Sequence, residues 1–503
     1  MKKTFLSVGL LVVLAVAALA ALAGGRSSAR PAALPLPRPT VADYVQLTSS
    51  ETPPTQTQCN LVGRRCFTPQ STRSAYDLNP LYAQNVDGRG ITIAILDAFG
   101  SDTIAHDLNV YDTQMNLPHM CGEEGVTCAP GMPTFSQLNV QGSPATKAPP
   151  DKSNGTGLQD KAAWALEVSL DVETAHSIAP GANILLVTTP VAETLGQQGF
   201  PQLMNAEDYV VKNHLAQVIS QSFASAEDAF GGSLKNLRGA FVDAVQNGVT
   251  VLGSSGDGGT ANSTKQSLVG HNPNNDLFPY PTVEWPASDP LVTGVGGTYL
   301  CTNALAKQTD ARTVDSTSPP TTCGAHPGNA EVAWVDAGGG FSRVFARPDF
   351  QNTLPAGSTA IPSTQRGVPD VGFQASARTG ALVYLTLPPD GQSGLICGSA
   401  PCSTGWYDIG GTSLSCPQWA GIVALADQVN GGGLGLINPG LYKIGADPGR
   451  YANDFYDVTT GNNQADPDIP GYSATQGWDP VTGLGTPNAA NLVPDLVSAV
   501  HGH

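Results

Sequence analysis

The sequence has little positive charge and, for its length, little charge of either sign. Its 503 residues include 24 Lys and Arg against 41 Asp and Glu, and charged residues make up only 13% of the chain. The net charge of −17 disfavours nucleic acid and anionic membranes as partners, because both repel an acidic surface. Beyond the N-terminus no apolar run is long enough to span a membrane. None of the nine cysteines shows the CxxC spacing of a zinc site, none follows the N-terminal apolar run as a lipid anchor would, and there is no internal repeat.

What is present begins with an export pattern. Lys2 and Lys3 precede an uncharged apolar run over residues 5–21, and Ala21-Leu22-Ala23 before Gly24 is a small-x-small cleavage site. Residues 1–23 therefore read as a signal peptide, with a permanent N-terminal anchor as the competing reading. Its removal takes the formal charge from −17 to −19 through loss of Lys2 and Lys3, and leaves a secreted protein without membrane attachment. In acid the many carboxylates lose charge together, which lowers self-repulsion. Residues 24–58 are rich in Pro, Ser, Thr and Ala without apolar periodicity, so 24–65 is expected to be a flexible leader and 66–503 the ordered domain. Eight cysteines fall into close pairs, Cys59/Cys66, Cys121/Cys128, Cys301/Cys323 and Cys397/Cys402, which in an exported protein suggest local disulfides. Cys416 is left over in an apolar helical context, as a buried free thiol.

The length admits two or three domains or one large α/β domain. Buried-strand patterns at 91–98, 182–189, 216–223 and 249–255 alternate with helical patterns at 162–176, 204–213 and 233–246. Such alternation predicts a mostly parallel sheet covered by helices on both faces. Residues 117–160 and 301–330 read as long loops, each holding one Cys pair.

Three motifs carry chemistry. In Gly410-Gly411-Thr412-Ser413-Leu414-Ser415-Cys416-Pro417 a strand end turns through two glycines and presents Ser413 at a helix start, where backbone N–H groups favour developing negative charge. An N-cap serine would look similar in a shorter motif. In Trp164-Ala165-Leu166-Glu167-Val168-Ser169-Leu170-Asp171 the i, i+4 spacing puts Glu167 and Asp171 on one helix face, one turn apart. Flanking apolar residues predict that this helix is buried, so the two carboxylates are costly unless they share a proton. In Ser254-Ser255-Gly256-Asp257-Gly258-Gly259 an Asp ends a strand between glycines, a place where a turn Asp is also ordinary.

Together these motifs resemble the subtilisin-like clan, and within it the sedolisin family of serine-carboxyl peptidases, with landmarks in order over roughly residues 66–500. None of the eight histidines stands in the His-Gly-Thr-His type motif of the subtilisin branch; His176, followed by Ser177-Ile178, is the nearest candidate. Glu284-Trp285-Pro286, Trp334 with Gly338-Gly339-Gly340, and Arg366-Gly367-Val368-Pro369-Asp370 match further family segments.

The resemblance implies a subtilisin-like α/β fold and an acid-acting endopeptidase on protein or peptide substrates. Ser413 would be the nucleophile, Glu167 its base, Asp171 the residue that orients Glu167, and Asp257 the oxyanion donor. An ionised Asp257 only accepts hydrogen bonds, so this role requires its proton and ties catalysis to acid. Asp97 would be an accessory acid near Asp171. The family also places one structural Ca2+ near the C-terminus. Here it would be held by the carboxylates of Asp457 and Asp479 and the carbonyls of Val458, Thr475 and Gly477. Tripeptidyl exopeptidase action is an alternative within the family. A catalytically dead binding protein, or a Ser-His-Asp hydrolase using His176, lies outside it. A monomer is expected. Two departures stand out: the leader is too short for the family's folded prodomain, and Ala224 in Ser222-Phe223-Ala224 replaces the usual Gly on a substrate-lining strand.

Overall fold

The computed structural model describes residues 38–39, 43–140, 156–190, 199–264, 277–317, 319–387, 396–397 and 400–502. The signal peptide expected at 1–23 lies outside them. Within the segment expected as a flexible leader, Asp43–Thr48 forms strand β1, and Gln56–Leu61 forms a short helix capped reciprocally by Thr55 and Gln58. The β-branched and aromatic residues of β1 find an edge to pair with, which composition alone does not reveal.

The centre is a sheet built from β2 (Thr92–Ala98), β3 (Phe135–Asn139), β4 (Asn183–Thr189), β5 (Val218–Gln221), β7 (Thr250–Ser254), β8 (Thr293–Leu300) and β9 (Glu331–Ala333). The order is β9-β8-β7-β5-β2-β4-β3. Between β5 and β7 in the chain, β6 (Phe223–Ala226) belongs to a separate small sheet with Glu284–Trp285. Strand β10 (Val371–Gln374) pairs in parallel with β8; among the described strands of the central sheet only β9 runs antiparallel. In β2, Ile93 and Ile95 face one layer of core while Ala94 and Leu96 face the other. Both faces are apolar because both are covered, as a parallel sheet requires.

Helices α1 (Ile104–Met115), α2 (Thr156–Ile178), α3 (Gly199–Lys212), α4 (Gly239–Gln246), α5 (Thr412–Asn430) and α6 (Ala489–Val500) supply the covers. Helices α2, α5 and α6 pack into the first core through Val168, Val172, Trp419, Ile422 and Leu492, whereas α3 and α4 pack into the second through Phe200, Leu203 and Phe241. The expected elements are present with shifted limits. The strand expected at 216–223 breaks at Ser222, where the chain leaves the central sheet for β6. The helix expected at 233–246 is a 3-10 turn (Gly231–Asn236) followed by α4.

A third layer forms from β11 (Ala381–Leu385), β12 (Gly405–Gly410) and β1, in the order β11-β12-β1. Leu166 and Leu170 of α2 pack on Val383, Tyr407 and Ile409 of this sheet. Disulfides Cys59–Cys66, Cys121–Cys128 and Cys301–Cys323 close local loops. Cys402 is also disulfide-bonded, and the side chain of Cys397 lies outside the described residues. Cys416 is free and buried, and burial pushes its thiol up to about 12. No described helix is long and apolar enough to cross a membrane.

Candidate active site

Strand β12 ends at Gly410, and Gly411, at φ +146°, turns the chain into α5. Side chains rarely tolerate that φ, so glycine belongs there. The helix begins at Thr412, which places Ser413 in its first turn rather than at the cap, with the helix dipole behind it. Ser413 is fully buried.

Helix α2 presents Glu167 and Asp171 to the same place, both fully buried. The Ser413 hydroxyl interacts with the Glu167 carboxylate and favours its ionised form. Neither Glu167 oxygen makes a regularly aligned hydrogen bond among the described residues, so this contact is a loose one. Asp171 Oδ1 accepts a hydrogen bond from Ser222 Oγ at 2.9 Å. Asp97, at the C-terminal end of β2, completes the group, with both carboxylate oxygens buried and unbonded among the described residues.

Three buried carboxyls with no cation facing them among the described residues are expensive to ionise. Desolvation first, and then the charges of Asp171 and Asp97, hold Glu167 well above the usual carboxyl range. Desolvation and the charge of Asp97 do the same for Asp171. Burial pushes Asp97 up to about 8. Ionising one of the three therefore makes it harder to ionise the others.

Asp257 follows β7. Its Oδ1 accepts from Thr412 N at 2.7 Å and from Thr412 Oγ1 at 2.8 Å, which leaves the shielded Oδ2 without a bond among the described residues. Desolvation outweighs those two bonds, and nearby Glu284 and Asp336 add repulsion, so the Asp257 carboxyl lies well above its ordinary value. With Oδ1 tied to Thr412, the residue before Ser413, a proton on Oδ2 would make Asp257 a donor. The loop is held from behind by Gly338, whose N–H donates to Gly256 O at 2.7 Å. A Cβ at Gly338 would stand 2.0 Å from Ser255 O, so glycine is required for this approach.

His176 makes other contacts. Its Nε2 lies 2.9 Å from Pro118 O and 3.2 Å from Asp112 Oδ2, in full burial. The structure thus gathers Ser413, Glu167, Asp171, Asp257 and Asp97, and ties His176 to helix α1. Two members escaped the sequence reading. Ser222 appeared only as a strand residue, and Thr412 only as a spacer in the glycine motif; their roles depend on contacts 51 and 155 residues away in sequence.

Near the C-terminus, Asp457 and Asp479 approach the same backbone turn. Asp457 Oδ2 accepts from Gly477 N at 3.0 Å, and Asp479 Oδ2 accepts from Thr475 N at 3.2 Å. Asp479 Oδ1 is taken up by the N–H groups of Val481 and Thr482, whereas buried Asp457 Oδ1 makes no regularly aligned hydrogen bond among the described residues and has only a loose contact from the Tyr451 hydroxyl to its carboxylate. Two carboxylates around a single turn, one with an oxygen that no regularly aligned hydrogen bond occupies, suit an oxygen-seeking cation.

A further contact concerns the leader. Arg38–Pro39 pairs antiparallel with β6, with Arg38 opposite Ala224 and Pro39 opposite Phe223.

No family model matches the chain. Kumamolisin from Bacillus sp. (strain MN-32) is 30% identical over 436 residues, covering 86% of this chain and 64% of that protein. Tripeptidyl-peptidase 1 of Homo sapiens is 30% identical over 358 residues, covering 68% of this chain and 54% of that protein. The chain thus spans between about half and two thirds of the length of these relatives. Among solved structures, Pseudomonas sedolisin (serine-carboxyl proteinase), complexed with two molecules of pseudo-iodotyrostatin, superposes with a TM-score of 0.60 at 24% identity. That match covers 86% of this chain and 98% of that one, and it establishes a likeness of fold. The fold is subtilisin-like α/β, with a mostly parallel central sheet. The chain belongs to the sedolisin family.

Proposed function

We propose that this chain is a serine-carboxyl peptidase that hydrolyses protein or peptide substrates in acid. The observation that carries the reading is buried Ser413 set against Glu167 within a cluster of buried carboxyls, with Asp257 bonded to the neighbouring Thr412. Ser413 Oγ attacks the scissile carbonyl carbon while Glu167 takes its proton. One negative charge spread over Glu167, Asp171 and Asp97 suffices, and the Ser413 hydroxyl draws it towards Glu167. Asp257 Oδ2–H donates to the oxyanion. Glu167 then returns the proton to the leaving amine, and water hydrolyses the acyl-enzyme by the same route in reverse. Asp171, bonded by Ser222, orients Glu167.

The edge of β6 is the substrate track. An extended segment, Arg38–Pro39, already lies along it, so Ala224 leaves room for a partner strand despite its methyl group. We take the action to be that of an endopeptidase, with tripeptidyl exopeptidase action as the alternative. The local disulfides support secretion into an oxidising compartment, where we take the protein to act as a monomer.

One Ca2+ fits the turn at 475–479, held by the Asp457 and Asp479 carboxylates and the carbonyls of Val458, Thr475 and Gly477; its contribution is structural. The reading is tested by assaying the purified protein on a denatured protein at pH 4 and pH 7, with Ser413→Ala as control. Wild-type turnover confined to acid and absent from the variant supports it. Turnover that survives in Ser413→Ala overturns it.

A further inference from the structure

Outside the triad, the connection from α1 to β3 gathers a second set of ligating side chains. Asp112 comes from the last turn of α1, and His119 and Glu123 from the loop that follows. One ligand atom from each lies within 4.8 Å of the other two. Donors bound at ~2.1 Å to a tetrahedral ion stand roughly 3.4 Å apart, a separation within that limit. His119 Nδ1 is 2.5 Å from Glu123 Oε2, so an ion would replace this hydrogen bond and part the pair by about 0.9 Å.

The surroundings are those of a prepared site. Asp112 is fully buried, yet neither of its carboxylate oxygens receives a regularly aligned hydrogen bond among the described residues. Its neighbour His176 holds Nε2 3.2 Å from Oδ2 and also 2.9 Å from Pro118 O, which pins the imidazole behind the carboxylate. Glu123 is steadied by Asn109 Nδ2 at 3.1 Å from Oε2 and by the backbone N–H of Met120 on Oε1. Groups that orient ligands from outside are the usual support of a metal centre. The His119 side chain is 37% exposed, so an ion can reach the site from solvent.

We propose that Asp112, His119 and Glu123 bind one divalent transition-metal ion of the Zn2+ class, tying this loop to α1. One imidazole nitrogen with two carboxylates selects such an ion over Ca2+, which prefers oxygen alone. The site is separate from the 475–479 turn and does not depend on peptidase action.

The test is calorimetric titration of chelator-treated full-length protein with Zn2+ at pH 7, in millimolar Ca2+ to saturate oxygen-only sites. Co2+ absorption in the visible range serves as a second readout of nitrogen ligation. We expect one equivalent to bind. His119→Ala, at a half-exposed position compatible with folding, weakens binding by at least about 100-fold and abolishes the Zn2+-dependent rise in Tm. Asp112→Asn does the same if it folds. His106→Ala, which removes the exposed imidazole 3.0 Å from Glu124, leaves binding unchanged. Absence of saturable binding, or binding that persists in His119→Ala or is lost in His106→Ala, overturns the proposal and leaves His119–Glu123 as an ordinary ion pair.

Discussion

Asp257 Oδ1 accepts the backbone N–H of Thr412 at 2.7 Å, so the residue expected to stabilise the oxyanion also caps the helix that carries Ser413. Thr412 Oγ1 strengthens the link through Asp257 on one side and the Gly256 N–H, at 3.0 Å, on the other. The bonded oxygen is thereby committed as an acceptor, and any proton on Asp257 resides on Oδ2. This is the geometric reason for expecting a donor there.

That relationship predicts the pH profile. Activity requires one ionised carboxylate in the Glu167 cluster and a proton on Asp257. It should rise as the cluster loses its first proton and fall as Asp257 loses its own, a bell-shaped profile whose limbs burial displaces upward from the ordinary carboxyl range. In Asp257→Asn the amide donates at any pH, so the alkaline limb should move upward even as peak kcat/KM falls by about 10-fold or more. A pH series of kcat/KM on one peptide substrate checks both. An unshifted alkaline limb in Asp257→Asn would assign that limb to another group.

Ser222 is predicted to act through Asp171. Its hydroxyl bond favours the ionised form of Asp171. In Ser222→Ala the pair holds its proton more tightly, and the acid limb should shift to higher pH. Stability should fall by only about 1 kcal/mol. A loss of activity without movement of the acid limb would mean that Ser222 serves packing alone.

The buried carboxyls also set the dependence of stability on pH. Asp97 is near ~3.9 when unfolded and about 8 when folded, so the folded state binds the proton more tightly. Its contribution is fully present below pH ~4 and is lost as pH rises towards about 8. The protein should therefore be more stable at pH 4 than at pH 8. Asp97→Asn should flatten that difference by a few kcal/mol, since every tenfold gain in proton affinity on folding is worth ~1.4 kcal/mol and ionising one of the three makes it harder to ionise the others. Urea midpoints at the two pH values measure it, and an equal pH dependence in Asp97→Asn would refute the assignment.

Calcium should stabilise the native state by mass action. Chelator should lower the Tm of the wild type. Asp479→Ala should melt lower, and its Tm should no longer rise when Ca2+ is added back after chelation. A Tm that is the same in excess chelator and in millimolar Ca2+ would argue against a site at 475–479.

The local motifs legible in the sequence were those in which one short segment does all the work. The i, i+4 placement of Glu167 and Asp171, the paired glycines before Ser413 and the alternation of buried strands with helices follow from periodicity and backbone sterics, which act within a few residues. Tertiary structure decided whatever depends on two distant segments meeting. It broke the strand expected at 216–223 so that Ser222 meets Asp171. It gave β1 a partner in β12, turning part of an expected flexible leader into sheet. It brought Asp112 on α1 beside His119, Glu123 and His176, a cluster with no spacing motif. Composition and spacing describe what a segment can do alone; desolvation and pairing arise only when the chain closes on itself, and at this site they set both the proton affinities and the partners.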